Sequence, residues 1–242
     1  MKSFSITDTG KTRLVNQDYV FATEEKIGKL ENLFIVADGM GGHNAGDYAS
    51  RFCVEVFTKI IKEPGTEGLP VSILSHALAV TNQELLEEAR SRAELNGMGT
   101  TFVISTILND ILYVANIGDS RLYLVRNGEI KQVTEDHSLV EEMVKNGEIE
   151  REQMRFHPNK NIITRALGAS ETVVPDYFEV ELRKDDLILM CSDGLSNMMD
   201  DKDMLEITDK FQDDLENACR KLAARANDNG GKDNISIVMI RM

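Results

Sequence analysis

The chain has little cysteine, little proline and an excess of acidic over basic charge, and it contains no tryptophan. Three cysteines in 242 residues, with no CxxC pair, predict neither a disulfide framework nor a thiolate zinc site. The 27 Lys and Arg residues against 41 Asp and Glu residues give a formal charge of −14, which disfavours nucleic acid and anionic membranes as partners.

No apolar run approaches the roughly 20 residues that a membrane span needs, so no membrane insertion is expected. The first residues also contain no apolar stretch of the kind found in secretory signals. We therefore expect a cytoplasmic protein, monomeric by default, with neither nucleic acid nor membrane as a partner.

The composition is that of an ordinary globular protein, with 42% hydrophobic and 28% charged residues. The best candidate for a domain boundary, residues 62–68, separates two helical patterns and is typical of a surface loop. We therefore predict a single domain that spans residues 1–242.

Short apolar runs, rich in β-branched residues, predict buried strands along the chain. They lie at 33–37, 101–108, 111–117, 122–125, 187–191 and 235–240. The dipeptide Asn127-Gly128 predicts a tight hairpin with its return strand over Glu129–Val133. Short strands joined by such turns favour antiparallel sheets.

Three amphipathic patterns predict helices. They run from Ala45 to Ile60, from Pro70 to Leu85 and from Phe211 to Ala226. The first two helices follow one another with no strand between them, so regular βαβ alternation is absent. The pattern favours an α+β sandwich with helices packed on the faces of the sheets.

An aspartate recurs beside the apolar strands. Asp38, Asp119 and Asp193 follow predicted strands, and Asp233 precedes the last one. Any one of these sites is explained by turn chemistry, because Asp-Gly and Gly-Asp are common turn dipeptides. Four in one chain, each next to a buried strand, favour a functional cluster.

Electrostatics indicates what such a cluster would hold. Two carboxylates ~5 Å apart repel by about 3 kcal/mol at an effective dielectric constant of ~20, so a group of them requires a cation. Oxygen ligands suit the hard ions Mg²⁺ and Mn²⁺. A glycine after a ligand aspartate would let its backbone carbonyl approach the metal. Spacing alone does not establish that these acids meet in space.

The motifs in their order along the chain resemble those of the metal-dependent protein serine/threonine phosphatases of type 2C, the PPM family, in their compact bacterial form. They are Arg13-x-x-Asn16-Gln17-Asp18, Asp38-Gly39-Met40-Gly41-Gly42-His43, Gly99-Thr100-Thr101, Gly118-Asp119-Ser120-Arg121, Asp136-His137-Ser138, Thr164-Arg165-Ala166-Leu167-Gly168, Ser192-Asp193-Gly194 and Asp233-Asn234. Each motif alone is weak, but the ordered set of eight is specific and spans nearly the whole chain.

The resemblance implies a central antiparallel β-sandwich flanked by helices on both faces, an α-β-β-α arrangement, with two Mn²⁺ or Mg²⁺ ions at one end. Asp38 would bridge both ions and the carbonyl of Gly39 would bind one of them. Asp193 and Asp233 would bind the other ion. Asp119 matches a position that helps to bind a third, weaker ion in bacterial members.

The resemblance also implies roles around the metals. Arg13 would hold the substrate phosphate, a task suited to a planar fork of donors. Asp18 and Asn234 would support the centre from behind the ligands, Asp18 through a water. The segment 137–168 matches a variable flap beside the active site.

The implied reaction is hydrolysis of phosphoserine and phosphothreonine in proteins. Two cations ~3.5–4 Å apart would lower the pKa of a bridging water, and the resulting hydroxide would attack phosphorus in line without a phosphoenzyme. Met40 stands where many eukaryotic relatives place a histidine. The proton for the leaving alkoxide is therefore left to His43, the nearest histidine, or to water on a third metal.

Two further hypotheses stay open from the sequence. One is a catalytically inactive phosphoprotein-binding or sensory module on the same fold, which would be marked by loss of the metal acids. The other is a general phosphomonoesterase for small molecules. The expected partners of the leading hypothesis are phosphorylated proteins, including a Ser/Thr protein kinase, because bacterial relatives oppose such kinases.

Overall fold

The computed structural model describes residues 1–42, 45–63 and 68–242, and these form two packed β-sheets with helices outside both. The strands are β1 (Lys2–Asp8), β2 (Asp18–Thr23), β3 (Leu33–Met40), β4 (Gly99–Thr100), β5 (Phe102–Leu108), β6 (Ile111–Ile117), β7 (Arg121–Arg126), β8 (Glu129–Gln132), β9 (Asp176–Glu181), β10 (Leu187–Cys191) and β11 (Ile235–Arg241). The α-helices are α1 (Ala45–Lys62), α2 (Pro70–Ser91), α3 (Leu139–Lys145), α4 (Asp193–Ser196), α5 (Asp201–Lys210) and α6 (Leu215–Asp228).

The two sheets are antiparallel and draw strands from distant parts of the chain. The first sheet has the order β1-β11-β10-β7-β8, and the second has the order β2-β3-β5-β6-β9 with β4 paired to β3. The first and last strands of the chain are neighbours, with Lys2 opposite Arg241. The predicted α+β sandwich with helices on both faces is confirmed.

Three apolar layers explain why the central strands are continuous apolar runs. In β3, Ile35 packs towards α1 and α2, whereas Phe34 and Val36 pack between the sheets. In β10, Leu189 packs towards α6, whereas Ile188 faces the inter-sheet layer. Because helices cover both outer faces, both faces of these strands are buried, and no polar alternation is seen in their sequence.

The hairpin at Asn127-Gly128 forms as predicted. Asn127 has φ 53° and Gly128 has φ 75°, and Arg126 pairs with Glu129 across the turn. Two successive positive φ angles are those of a type I′ turn, which matches the twist of the strands it joins.

The predicted helix from Phe211 to Ala226 is wrong at its start. Phe211 lies at the end of α5, a helix that the sequence analysis missed, and α6 begins at Leu215. The side chain of Asp214 caps α6 by accepting a hydrogen bond from the backbone N–H of Asn217 at 3.1 Å. The capping Asp214 therefore sets the start of α6, four residues after Phe211.

The predicted flap, residues 137–168, contains α3 and a 3₁₀ helix over Arg151–Phe156. Its two ends lie together, because Ser138 and Ile163 form a backbone bridge. A second bridge joins Thr100 to Leu167 and ties the end of the segment to the strand region beside β3.

Among the described residues, no helix combines the length and the apolar character of a membrane span.

Candidate metal centre

Strands of both sheets bring their acidic residues to one end of the sandwich. Asp18 begins β2 directly opposite Asp38, near the end of β3, in the antiparallel ladder. Asp119 follows the end of β6, which runs parallel to β3 because both flank the antiparallel β5. In the other sheet, Asp193 follows β10 and Asp233 precedes its antiparallel neighbour β11. Alternating strand direction places each group of acids at one end of its own sheet, and the hydrogen bond from the Ser192 hydroxyl to Asp18 shows that the two ends meet.

The backbone around Asp38 is fixed by neighbouring threonines. The Asp38 N–H donates to Oγ1 of Thr101 at 3.0 Å, and the Asp38 carbonyl accepts from the Thr101 N–H at 2.9 Å and from the Thr100 hydroxyl at 2.9 Å. The next residue, Gly39, passes so close to α1 that a Cβ there would collide with the Gly46 carbonyl oxygen. Glycine at this position is thus a packing requirement.

Two carboxylates of the cluster each present an unpaired oxygen. The Ser192 hydroxyl donates to Oδ2 of Asp18 at 2.7 Å, and Asn197 Nδ2 donates to Oδ2 of Asp193 at 2.9 Å. In the described chain, Oδ1 of Asp18 and Oδ1 of Asp193 are buried and have no hydrogen-bond partner. A buried carboxylate oxygen without a donor is costly unless a cation satisfies it.

Burial and mutual repulsion raise the pKa values of the cluster. Burial, together with the charges of Asp193 and Asp233, raises the pKa of Asp18 to about 7. Burial, and then the charge of Asp233, raises the pKa of Asp193 to about 6. The pKa values of Asp38 and Asp119 are also raised, chiefly by burial and then by neighbouring aspartates. Perturbed carboxylates grouped in this way are typical of a functional site.

The donor set fits hard divalent cations. It consists of carboxylate oxygens and the backbone carbonyl of Gly39, which are ligands that suit Mg²⁺ and Mn²⁺. Within the described residues, no three Asp, Glu, His or Cys side chains already converge as a closed ligand cage.

Asn234 holds the loop that carries Arg13. This buried amide donates to the carbonyls of Thr9 at 2.9 Å and Val15 at 3.1 Å, and it accepts from the Gln17 N–H at 2.9 Å. Arg13 then reaches Asp233, with Nη2 2.8 Å from Oδ2, while about half of its side chain stays exposed. Arg13 therefore lies at the mouth of the acidic cluster, where an incoming anion would meet it.

Replacement of Asn234 by alanine is expected to weaken both fold and activity. The loss of three hydrogen bonds at a buried site should cost about 2–4 kcal/mol of unfolding free energy. Displacement of Arg13 should lower kcat/KM by roughly 10–100-fold. Thermal melting and phosphate-release assays measure the two effects. Asn229→Ala is the matched control, because exposed Asn229 makes one side-chain hydrogen bond, to Met198.

The sequence motifs identified most residues of the site, but not all of them. His43, the predicted proton donor, lies outside the described residues. Met40 ends β3 beside the cluster, as its motif places it. Asn197 was missed, although its spacing of four residues from Asp193 on one helical turn is a signal that could have revealed the contact.

The fold and the acidic cluster together are those of a metal-dependent phosphatase. The family model for protein phosphatase 2C matches residues 21–235. The chain is 40% identical to the serine/threonine phosphatase stp of Listeria innocua over 239 residues, which cover 97% of this chain and 93% of the relative. The chain belongs to the protein phosphatase 2C family.

Solved structures agree with this assignment. The serine/threonine phosphatase of S. agalactiae superposes with a TM-score of 0.91 at 34% identity, over 100% of this chain and 99% of that one. The catalytic domain of the serine threonine protein phosphatase PstP, described in complex with two manganese ions, superposes with a TM-score of 0.85 at 32% identity, over 98% and 96% of the two chains. These relatives are phosphatases, so the inactive-module hypothesis is not supported.

Proposed function

We propose that this phosphatase removes phosphate from phosphoserine and phosphothreonine in proteins with two divalent cations held by Asp38, Gly39, Asp193 and Asp233. The observation that carries the proposal is the meeting of these residues at one end of the sandwich, with unpaired carboxylate oxygens and raised carboxylate pKa values. Bound cations supply Lewis acidity and lower the pKa of a coordinated water at such a site.

The protein's own residues bind and orient the substrate around that centre. Arg13 binds the phosphoryl oxygens through its guanidinium fork and offsets the charge that develops on them. Asn234 fixes the loop of Arg13, and Asn197 fixes the carboxylate of Asp193. Asp18 supports the centre from behind Asp38. For the leaving alkoxide, His43 is the proposed proton donor of the chain.

The metal identity is proposed as Mn²⁺ or Mg²⁺, since carboxylate and carbonyl oxygens accept both. Asp119 is proposed to contribute to a third, weaker ion. The proposal is supported by its buried side chain, which lines the same cavity as Asp193.

We infer that the substrates are phosphoproteins. A Ser/Thr protein kinase either phosphorylates these substrates or is itself one of them. We further propose that the protein acts in the cytoplasm as a monomer. The flap, residues 137–168 of one catalytic domain, is proposed to border the substrate site.

Phosphate release from a phosphothreonine peptide tests the proposed function. We expect turnover with Mn²⁺ and none after chelation, and we expect the peptide to be a better substrate than a sugar phosphate. Equal or greater turnover of the sugar phosphate would favour a general phosphomonoesterase. A folded, Mn²⁺-supplied protein that releases no phosphate would contradict the proposal.

A further inference from the structure

A cavity of about 830 Å³ opens beside the acidic cluster, between the flap and the α4–α5 region. Asp119 and Asp193 line it on the side of the cluster, and Arg155 and Lys160 line it from the flap. The cavity therefore continues from the reacting centre along the flap, where the residues that flank a phosphorylated side chain would lie.

Lys160 is half-buried in this wall and is linked to the cluster through one amide. Its Nζ donates to Oδ1 of Asn197 at 3.2 Å, and Nδ2 of the same amide donates to Asp193 at 2.9 Å. Two hydrogen bonds thus separate the ammonium group from a proposed metal ligand. A group bound by Lys160 would lie one or two residues from the phosphorylated side chain, given a rise of about 3.3 Å per extended residue.

Lys160 differs from the neighbouring arginines in its pairing. Its ammonium group has no carboxylate partner among the described residues, whereas each of those arginines has one. Arg121 is paired with Asp136 at 2.7 Å, and Arg151 is paired with Glu141 at 2.7 Å. In each pair the carboxylate neutralises an arginine that lines the cavity.

Desolvation lowers the pKa of Lys160, while the charge of Asp193 opposes this shift. The ammonium group has thus lost part of its water without gaining a counter-ion. An anion that entered the cavity would supply the missing partner, and the interaction would be stronger than at a fully exposed lysine.

The stretch of the flap that carries Lys160 has no acidic residue of its own, although its two arginines are paired with Asp176 and Asp200 from outside it. Residues 154–165 contain Arg155, Lys160 and Arg165 and no Asp or Glu, so all 41 acidic residues lie elsewhere in the chain. With a net charge of −14, the rest of the surface repels an acidic substrate. The unpaired ammonium group of Lys160, next to the cluster, would offset part of that repulsion at the site.

We propose that Lys160 is a specificity-determining residue that binds a carboxylate flanking the phosphorylated residue of the substrate. The enzyme then prefers phosphopeptides with Asp or Glu next to the phosphoserine or phosphothreonine over peptides with neutral flanks. This inference rests on the proposed function and names its substrate class.

The test compares three substrates with the Mn²⁺-supplied wild type and Lys160→Gln. The substrates are a phosphothreonine peptide flanked by Asp and Glu, the same peptide flanked by Asn and Gln, and p-nitrophenyl phosphate. We expect Lys160→Gln to lower kcat/KM about tenfold for the acidic peptide, through a higher KM, since hydrogen bonds to charged groups are of this strength. The neutral peptide and p-nitrophenyl phosphate should change by less than about twofold.

Two further variants separate this role from general effects. Lys160→Arg keeps the charge and should retain most of the preference for the acidic peptide. Lys202→Gln removes an exposed charge from α5 on the opposite wall of the same cavity and should leave the preference unchanged. Thermal melting of Lys160→Gln checks that the fold is intact.

Equal losses on all three substrates would overturn the inference, because Lys160 would then act on the reacting phosphoryl group or on the structure of the site. An unchanged ratio between the acidic and neutral peptides would overturn it as well. No Mn²⁺-dependent release by the wild type from any substrate would instead contradict the proposed function, and this inference with it.

Discussion

Raising the pH from 3.8 to about 7 is expected to lower the free energy of unfolding of the metal-free protein through its acidic cluster. The pKa of Asp18 is raised from 3.8 to about 7, and that of Asp193 from 3.8 to about 6. The folded state therefore binds more protons than the unfolded state within this range. The contribution of these groups to stability is greatest below their unfolded pKa and is lost as the pH rises through the folded pKa.

The expected loss is roughly 1 kcal/mol per group and pH unit within this window. Salt-bridged carboxylates such as Asp176 and Asp186 have lowered pKa values and act in the opposite direction at lower pH. A variant comparison isolates the cluster. Metal-free Asp18→Asn should lose less stability than the wild type between pH 5 and about 7.5, whereas Asp203→Asn, an acid of α5 outside the cluster, should follow the wild type.

Urea unfolding at a series of pH values, with chelator present, measures these slopes. Saturating Mn²⁺ should reverse the trend, because cation binding requires the deprotonated carboxylates and offsets their repulsion. Identical pH slopes for the metal-free wild type and Asp18→Asn would show that burial and the neighbouring acids do not raise the pKa of Asp18 in the folded protein.

Asp193→Asn is expected to lower Mn²⁺-dependent kcat/KM by about 10³-fold or more. The substitution preserves the shape of the side chain but removes the charge and one of the oxygens that face the cluster, and loss of metal-based charge stabilisation costs several kcal/mol of the barrier. Phosphate release from a phosphothreonine peptide measures the effect. The matched control, Asp203→Asn, removes an acid that also borders the cavity and should stay within about twofold of the wild type.

Circular dichroism and melting curves establish that Asp193→Asn is folded. With chelator present, the variant should be at least as stable as the wild type, because it removes a repelling charge. Activity within tenfold of the wild type in this folded variant would exclude Asp193 as a metal ligand.

The sequence predicts the central strands and misses three of the four edge strands for one physical reason. Strands such as Ile111–Ile117 and Leu187–Cys191 are buried on both faces, so their apolar runs stand out, and their predicted bounds match the structure. The missed strands β1, β2 and β9 lie at the edges of the sheets. Edge strands keep polar residues on a partly exposed face and lack that signal.

The site is predicted by ordered motifs, but its supporting contacts are not. The five acids and Arg13 stand in recognisable patterns, and the structure brings them to one end of the sandwich. The contact between Lys160 and Asn197 joins segments 37 residues apart that no local pattern connects. Such pairs depend on how the flap packs against α4, which is a tertiary property.

Mn²⁺ binding measured by equilibrium dialysis at pH 7.5 shows whether Asp38, Asp193 and Asp233 form one divalent-cation centre. The wild type should bind two Mn²⁺ ions and a third more weakly. Asp38→Asn should lose high-affinity binding of both ions, whereas Asp119→Asn should lose only the third. Undiminished binding of two ions by a folded Asp38→Asn variant would show that Asp38 does not bridge two cations at this site.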